Sequence, residues 1–217
     1  MPPALYINSL VVSPCETNCY LVGPLECGAS PSRTGEVIAI DPGGDADLIL
    51  RLIESEGLTV TAIVNTHGHG DHIGANADLK ARFDCPIMIH VADADFLTDP
   101  MLNLSGCFGE ETALSPAADR LLQDGDEIEV GPVTFRVIHT PGHTPGGICL
   151  YTDGRLFAGD TLFAGSVGRT DFPGGSMDHL ITGIREKLLV LPDDTIVYPG
   201  HGPTTTIGDE KIVNPYL

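Results

Sequence analysis

One stretch of this chain, Thr66-His67-Gly68-His69-Gly70-Asp71-His72, places three imidazoles and one carboxylate within six positions. Imidazoles and carboxylates are costly to bury unless a cation or another polar partner compensates for the lost solvation. A solvated, histidine-rich loop is the alternative interpretation, but four donors at this spacing are typical of a metal site. The stretch therefore predicts a metal centre.

The position of this motif in the chain indicates a turn between a strand and a helix. Residues 62–64 have the pattern of a short buried strand, and the pattern at residues 73–83 is helical. His67 and His69 alternate as residues of a strand or tight loop do, instead of following the i, i+4 spacing of a helix. The two glycines between the donors allow the backbone conformations and close approach that such a turn requires.

Three further candidate donors each follow a predicted strand and stand beside a glycine: His143, Asp160 and His201. Taken singly, each is typical of an ordinary loop residue. Because donors at the ends of separate strands can converge on one crevice, we expect the three to join the first motif. Seven donors then suit two adjacent cations, each with about three protein ligands and one shared carboxylate, with positions left for water and substrate.

The composition favours a globular enzyme that acts on small molecules. The chain has 217 residues, of which 42% are hydrophobic, so it can bury a full core, and we expect a single domain over residues 1–217. Its 30 acidic and 11 basic residues give a formal net charge of -19. With so few cationic side chains, nucleic acid and anionic membrane surfaces are disfavoured as partners.

Neither a targeting segment nor a disulfide framework is expected. The first residues lack a basic segment followed by a long apolar one, and no run approaches 18 apolar residues, so we expect a cytoplasmic protein. Six cysteines are scattered without a secretory context, which favours reduced thiols. Cys15 and Cys19 are the one close pair, and they lack the CxxC spacing of a redox or zinc site.

Hydrophobic periodicity and turn signals predict an α/β protein. In the first half the predicted strands lie at residues 5–12, 19–22, 37–40, 62–65 and 87–89, and the helices at 46–56, 73–83 and 92–96. In the second half the predicted strands lie at residues 127–130, 133–139, 148–151, 156–158 and 195–198, and the helices at 177–189 and 208–213. Residues 99–116 are predicted to form a long loop. This order suggests two mixed sheets packed face to face with helices outside.

Four motifs carry a resemblance to a known family: THGHGDH at residues 66–72, TPGHTPG at 140–146, GDTLF at 159–163 and YPGH at 198–201. In this order and spacing they resemble the metallo-β-lactamase superfamily over essentially the whole chain. The GRTDFP segment at residues 168–173 is most similar to glyoxalase II-like (hydroxyacylglutathione hydrolase-like) members of the short bacterial type. The resemblance implies the metallo-β-lactamase fold, a four-layer αββα sandwich of two mixed β-sheets with the metals at one edge.

The resemblance also implies how the donors divide between two divalent metal ions. Zinc is the first expectation, with iron or manganese as alternatives, because histidine and aspartate ligands suit all three. Asp41 resembles a residue that orients the ligands without binding the metal, although it could equally be a turn former. The implied ligand sets are His67, His69 and His143 for the first ion, Asp71, His72 and His201 for the second, and Asp160 as a bridge between them.

The activity that the resemblance implies is hydrolysis of a small thioester, S-(2-hydroxyacyl)glutathione or a related compound, by a metal-bridging hydroxide. Asp71 and Asp160 are the predicted catalytic carboxylates. Arg169 and Phe172 are the predicted substrate-binding residues, since a guanidinium can bind a carboxylate with two hydrogen bonds; the alternative is an ion pair within the same loop. Only 16 residues follow His201, so we expect none of the C-terminal helical segment with which glyoxalase II enzymes help to bind glutathione.

Two other functions stay open at this point. A persulfide dioxygenase would resemble this chain through a nearly identical ligand set and would hold a single iron on His67, His143 and Asp160. A non-catalytic scaffold of the same fold is the other alternative, although none of the seven expected ligands is missing. Metal content separates the three functions: about two ions per chain for the hydrolase, one iron for the dioxygenase, and no fixed requirement for a scaffold.

Three histidines fall outside this set of ligands and are expected to have structural positions. His90 and His139 end predicted apolar strands, where a hydrogen-bonded residue at the edge of the core is common. His179 opens a predicted helix. None of the three is expected to bind a metal.

Overall fold

The computed structural model describes residues 4–25, 35–106 and 113–217. The first half of the chain builds a six-stranded sheet whose strands are adjacent in chain order. Its first three strands pair antiparallel, and the remaining pairings are parallel. The strands are β1 (Leu5–Val12), β2 (Thr17–Pro24), β3 (Gly35–Ile40), β4 (Leu58–Val64), β5 (Ile87–His90) and β6 (Arg120–Leu122).

The second half builds another six-stranded sheet and a short hairpin. The sheet order is β14-β13-β10-β9-β8-β7, and only the β10–β13 pairing is parallel within it. Both sheets are therefore mixed. The strands are β7 (Glu127–Val130), β8 (Val133–His139), β9 (Ile148–Thr152), β10 (Arg155–Gly159), the hairpin β11 (Leu162–Phe163) and β12 (Ser166–Val167), β13 (Ile196–Pro199) and β14 (Thr205–Thr206).

Helices cover the outer face of each sheet. A 3-10 helix at Val91–Leu97 follows β5, and a π-helical turn at Ile184–Leu188 extends the fourth α-helix. The α-helices are α1 (Ala46–Ser55), α2 (Gly70–Ile73), α3 (Asn76–Phe83), α4 (Met177–Gly183) and α5 (Ile207–Val213).

Three apolar clusters hold the four layers together. The alternation along β3 shows the division, because Val37 and Ala39 pack toward the α1 and α3 side while Ile38 and Ile40 pack toward the second sheet. The middle cluster joins the two sheets and includes Phe135. The third cluster packs the second sheet against α4 and α5. The predicted αββα sandwich of two mixed sheets is therefore confirmed.

One predicted helix, at residues 73–83, is wrong as a continuous element. The helix is interrupted after Ile73, and α3 begins only at Asn76. The amide of Ala75 donates to the Pro42 carbonyl, and a Cβ on Gly74 would collide with the Gly43 carbonyl. The chain therefore turns there to pack directly on the loop that follows β3.

Other differences from the predicted elements are smaller. The helix predicted at 177–189 ends its α-helical part at Gly183 and continues as a π-helical turn. The short strands β6, β11, β12 and β14 were not predicted. The predicted loop at 99–116 contains only turns and irregular backbone in its described parts, residues 99–106 and 113–116. Its Gly106-Cys107-Phe108-Gly109 segment lies outside the described residues from position 107 onward.

The described residues include free cysteines. Cys19, Cys85 and Cys149 are buried, and none of them is in a disulfide. Cys27 and Cys107 lie outside the described residues. Within the described part of the chain, no helix has both the length and the apolar composition needed to cross a bilayer.

Two of the three histidines outside the predicted ligand set, His90 and His139, contact each other. The rings of His90 and His139 stack with centroids 3.9 Å apart and planes inclined by 14°. His90 Nδ1 accepts a hydrogen bond from the Ala92 amide, and His139 Nε2 lies 3.0 Å from the Pro145 carbonyl oxygen. These contacts place the pair at the edge of the core, as predicted.

Candidate metal centre

All seven predicted donors converge at one end of the two central sheets. The loop between β4 and α2 carries two of them, and α2 carries two more, so one short segment supplies four. The other three follow separate strands of the second sheet, where the carboxyl ends of neighbouring strands open onto the same crevice. They are His143 after β8, Asp160 after β10 and His201 after β13.

Three histidines form what we call the first triad: His67, His69 and His143. Their ligand atoms lie within 4.8 Å of one another, and all three side chains are buried. His67 Nε2 lies 3.1 Å from His69 Nδ1, and the ring of His143 lies 4.6 Å from that of His69 between centroids. Three nitrogen donors at this separation could hold one metal ion.

A second group, which we call the second triad, consists of Asp71, His72 and His201. Its ligand atoms also lie within 4.8 Å of one another. His201 Nε2 lies 3.3 Å from both His72 Nε2 and Asp71 Oδ2. Thr17 donates a hydrogen bond to Asp71 Oδ2 over 3.1 Å and so helps to fix the carboxylate. This group could hold a second ion.

Asp160 lies between the two triads. Its Oδ2 is 3.5 Å from His143 Nε2 of the first triad, and its Oδ1 is 3.5 Å from His72 Nε2 of the second. Among the described residues, neither the buried Oδ1 atom nor the buried His143 Nε2 atom has a hydrogen-bond partner. Buried polar atoms without partners are costly, and cations held by the two triads would satisfy both. The donor set therefore fits divalent metal binding.

Asp41 contacts the ligands without facing the centre, which agrees with the orienting role that the family resemblance implied. Its Oδ2 lies 3.0 Å from His72 Nδ1 and accepts the Thr66 hydroxyl over 2.6 Å. Its Oδ1 accepts the Thr66 amide. Since the Thr66 hydroxyl donates to Asp41, it can only accept from His67 Nδ1, which is 3.2 Å away. Although Asp41 also lies within 4.8 Å of ligand atoms of His67 and His72, its oxygens are occupied, so we assign it to orientation.

Sequence reasoning missed the group that orients His143. The main-chain carbonyl of Arg169 lies 2.7 Å from His143 Nδ1 and accepts its N–H, which leaves Nε2 directed at Asp160. A backbone carbonyl carries no sequence signal, so no pattern could have revealed it. A Cβ on Gly168 would collide with the Asp160 carbonyl, so glycine at this position allows the loop to lie this close.

The side chains of Arg169 and Phe172 line the crevice beside the first triad. Arg169 donates to both oxygens of Asp171 over 2.7 Å, so the ion pair that was the alternative prediction is present. The guanidinium also lies 4.0 Å from the centre of the Phe172 ring. The Phe172 ring is 5.8 Å from that of His69.

Two members of the first triad, His67 and His69, are uncharged around neutral pH. Burial lowers the pKa of His67 well below its ordinary value, and the neighbouring His72 and His69 lower it further. Burial also lowers the pKa of His69 to about 3, helped by His143. Neutral imidazoles have a free lone pair, so these nitrogens are ready to bind a cation.

In the second triad the pKa values of both histidines are raised, not lowered. Burial alone would lower the pKa of His72, but the charges of Asp71, Asp160 and Asp41 outweigh it and raise the pKa to about 9. Burial also lowers the pKa of His201, but contacts with Asp160 and Asp71 outweigh this effect and raise the pKa to about 11. The pKa values of Asp71 and Asp160 are lowered because the charged imidazoles outweigh the effect of burial. His72 and His201 must therefore each lose a proton before their nitrogens can bind a cation.

The donors open into a large crevice of about 1370 Å³. Its lining includes five of the seven donors, which are His69, Asp71, His143, Asp160 and His201. A crevice of this size is large enough for a small-molecule substrate, since such sites usually measure about 300–1,000 Å³. Its walls include Ser13, Gly44, Asp78, Leu104, Phe163 and Phe172.

A family model and named relatives match this chain over most of its length. The family model of the metallo-β-lactamase superfamily matches residues 12–201. The probable metallo-hydrolase YqgX of Bacillus subtilis is 40% identical over 200 residues, which cover 90% of this chain and 94% of YqgX. The hydroxyacylglutathione hydrolase GloC of Haemophilus influenzae is 38% identical over 214 residues, which cover 97% of each chain.

Solved structures superimpose closely on this chain. The crystal structure of the B3 metallo-β-lactamase BLEG-1 superimposes with a TM-score of 0.90 at 39% identity and covers 98% of this chain and 99% of that one. TTHA1623 in a di-iron-bound form gives a TM-score of 0.83 at 36% identity and covers 97% and 100%. On the family match, the relatives and the two clusters of metal-binding side chains, this chain is a metal-dependent hydrolase of the metallo-β-lactamase superfamily.

Proposed function

We propose that this protein is a dinuclear metal-dependent thioesterase that hydrolyses S-(2-hydroxyacyl)glutathione or a related small thioester. The observation that carries the proposal is the placement of Asp160, whose two oxygens each lie 3.5 Å from a histidine of a different triad. A carboxylate in that position can bridge two cations, so the triads would form one centre. The relative GloC, a hydroxyacylglutathione hydrolase, supports the substrate class.

When bound, two divalent cations supply a deprotonated water as nucleophile at neutral pH and polarise the carbonyl that it attacks. The residues of the chain contribute the geometry for this reaction. His67, His69 and His143 hold one side of the centre, while Asp71, His72 and His201 hold the other.

Asp71 and Asp160 have catalytic roles in this proposal. Asp71 Oδ2 accepts the Thr17 hydroxyl and lies 3.3 Å from His201 Nε2. It can accept a hydrogen bond from the attacking water and so hold the water lone pair toward the substrate carbonyl. Asp160 fixes the separation of the two triads. Because the pKa of each carboxyl group is lowered, both groups are acceptors throughout the neutral range.

Arg169 and Phe172 would position the substrate in the crevice. The Phe172 ring beside His69 offers an apolar surface near the reacting carbonyl. The Arg169 guanidinium has N–H groups beyond those given to Asp171, and one of them can meet a carboxylate of the thiol arm. The net charge of -19 supports a small-molecule substrate over a nucleic acid.

Zinc is the proposed metal, with iron and manganese as alternatives. Two triads of histidine and aspartate accept any of the three, and the selection depends on geometry and supply. The di-iron form of TTHA1623 supports iron as a real alternative. The activity of the enzyme reconstituted with each metal would distinguish among the three.

The relative GloC, a hydroxyacylglutathione hydrolase, favours a hydrolase over a persulfide dioxygenase. A dioxygenase would hold a single iron on His67, His143 and Asp160 and could carry Asp71, His72 and His201 without a second ion, so the number of bound ions separates the two functions. A scaffold without catalysis would need neither triad. Both alternatives are kept as outcomes of the test.

The test is hydrolysis of S-D-lactoylglutathione by protein loaded separately with zinc, manganese and iron, with the metal content of each sample measured. The proposal expects rapid cleavage at about two ions per chain. A β-lactam is included as a comparison substrate because BLEG-1 is a B3 metallo-β-lactamase. Two bound ions without thioester cleavage would reject the substrate, and oxygen uptake with glutathione persulfide at one iron per chain would replace the hydrolase by the dioxygenase.

A further inference from the structure

Asp93 is a completely buried carboxylate outside the seven donors. It lies in the 3-10 helix Val91–Leu97 that follows β5, and its side chain has no solvent exposure. Nothing in the proposed reaction uses it. A buried carboxylate is retained at a cost in free energy, so its contacts indicate what it does.

The two oxygens of Asp93 accept hydrogen bonds from two different ligand loops. Oδ2 accepts the Gly68 amide over 3.1 Å, and Gly68 stands between His67 and His69. Oδ1 accepts the Gly146 amide over 2.6 Å, and Gly146 lies three residues beyond His143. One carboxylate therefore links the loops that carry all three members of the first triad, although they come from opposite halves of the chain.

Neither of the two glycine positions has room for a side chain. A Cβ on Gly146 would lie 2.6 Å from the carboxylate carbon and from Oδ1 of Asp93. A Cβ on Gly68 would collide with Phe96 of the same 3-10 helix. Both loops therefore approach the helix as closely as backbone allows, and a side chain in either place would push one loop away.

The contact requires a carboxylate and not merely a polar residue. Two N–H donors need two acceptor oxygens, and an ionised carboxylate has acceptors only. An asparagine would place its NH₂ group against one of the two amides. We propose that Asp93 is a positioning residue that sets the distance between the His67–His69 loop and the His143 loop, and thereby the affinity of the first triad for its cation. The inference rests on the dinuclear centre of the proposed function.

The test compares Asp93→Asn with Asp119→Asn as a matched control. Asp119 also accepts a backbone amide, that of Ile87 at the opposite end of β5, and a Lys80 ammonium, but it lies away from the centre. Folding of each metal-free variant is checked by circular dichroism. The affinities of the two sites for zinc are measured by competition with a chelator, and the ligand geometry by the absorption spectrum of the cobalt-loaded protein.

We expect Asp93→Asn to fold and to weaken the first triad's zinc site by about 10- to 100-fold, as losses of residues that orient ligands do, with a changed cobalt spectrum. The second site should keep its affinity, and Asp119→Asn should keep both. If Asp93→Asn retains both affinities and the wild-type spectrum, the proposal is overturned. If the wild type itself binds only one ion, the dinuclear centre fails and not the role of Asp93.

Gly146→Ala provides a second route to the same contact, because its Cβ would press on the carboxylate from the other loop. It should weaken the same site as Asp93→Asn. This variant decides the matter if Asp93→Asn does not fold. Failure of both variants to fold would overturn the proposal, since the contact would then serve the fold and not the centre.

Discussion

Asp41 Oδ2 lies 3.0 Å from His72 Nδ1, and both side chains are almost entirely buried. In the neutral, metal-binding form of His72 the contact keeps the proton on Nδ1, so that Nε2 is directed at Asp71 and His201. Through the hydroxyl of Thr66, the same carboxylate also orients His67 of the first triad. One residue that binds no metal thus controls a ligand of each predicted ion.

Asp41→Asn should weaken metal binding by about 10- to 100-fold while the protein stays folded. Asp41 has a φ of 50°, a left-handed conformation that asparagine tolerates well, so the backbone is preserved. Asp84→Asn is the control, since Asp84 has a φ of 51° but is exposed at the end of α3. Equal zinc affinity in Asp41→Asn and Asp84→Asn would show that Asp41 does not orient the ligands.

His69→Ala should yield a folded protein that loses the first ion and with it nearly all activity. The imidazole is uncharged because its pKa is lowered to about 3, so its removal leaves no unpaired charge in the interior. Metal polarisation is worth several kcal/mol, and its loss should slow turnover by about 1000-fold. His179→Ala, at an exposed position in α4, is the control. Wild-type activity with wild-type metal content in His69→Ala contradicts the ligand assignment.

Metal binding should release protons at pH 7.5. The pKa values of about 9 for His72 and about 11 for His201 mean that both imidazoles are protonated in the metal-free protein at that pH. A ligand nitrogen must be neutral, so the second cation displaces the protons of the two imidazoles. The affinity of the second triad for its cation should therefore rise as the pH rises toward these pKa values. Calorimetric titration in buffers of different ionisation enthalpy measures how many protons are released, and we expect at least one per chain. Zero release, or proton uptake, is the contrary result.

Gly43→Ala should destabilise the protein strongly. A Cβ at Gly43 would collide with the Asp71 carbonyl, and a backbone group in a packed layer cannot move aside. Overpacking of this kind costs about 3 kcal/mol, which lowers Tm by about 10 °C in a chain of this length. Gly35→Ala is the matched control, because its Cβ would only touch Leu58 at 3.4 Å. Thermal unfolding of the metal-free proteins makes the comparison, and equal Tm values would refute the argument.

Much of the fold could be predicted from the sequence because its signals are local. The alternation in β3 and the apolar run of β4 follow from side chains that face two different layers. The helix at 73–83 could not be predicted correctly, since its interruption is caused by contact with the loop at Pro42 and Gly43, which lies 30 residues upstream. Two-residue strands such as β14 are equally invisible because they exist only through their pairing with β13.

The donors of the centre could be named from the sequence because histidine and aspartate beside glycine, at strand ends, are conspicuous. What orients those donors could not. Asp93 looks like an ordinary polar residue of a short helix until the Gly68 and Gly146 amides are seen on its two oxygens. The Arg169 carbonyl that fixes His143 belongs to the backbone and has no signal at all.

The most direct test of the central claim is the rate of S-D-lactoylglutathione hydrolysis during titration of the metal-free protein with zinc. Because Asp160 lies between the two triads, we predict that activity follows the second equivalent and reaches its plateau at two ions per chain. A plateau at one equivalent, or two tightly bound ions with no hydrolysis, would contradict the account of a dinuclear thioesterase.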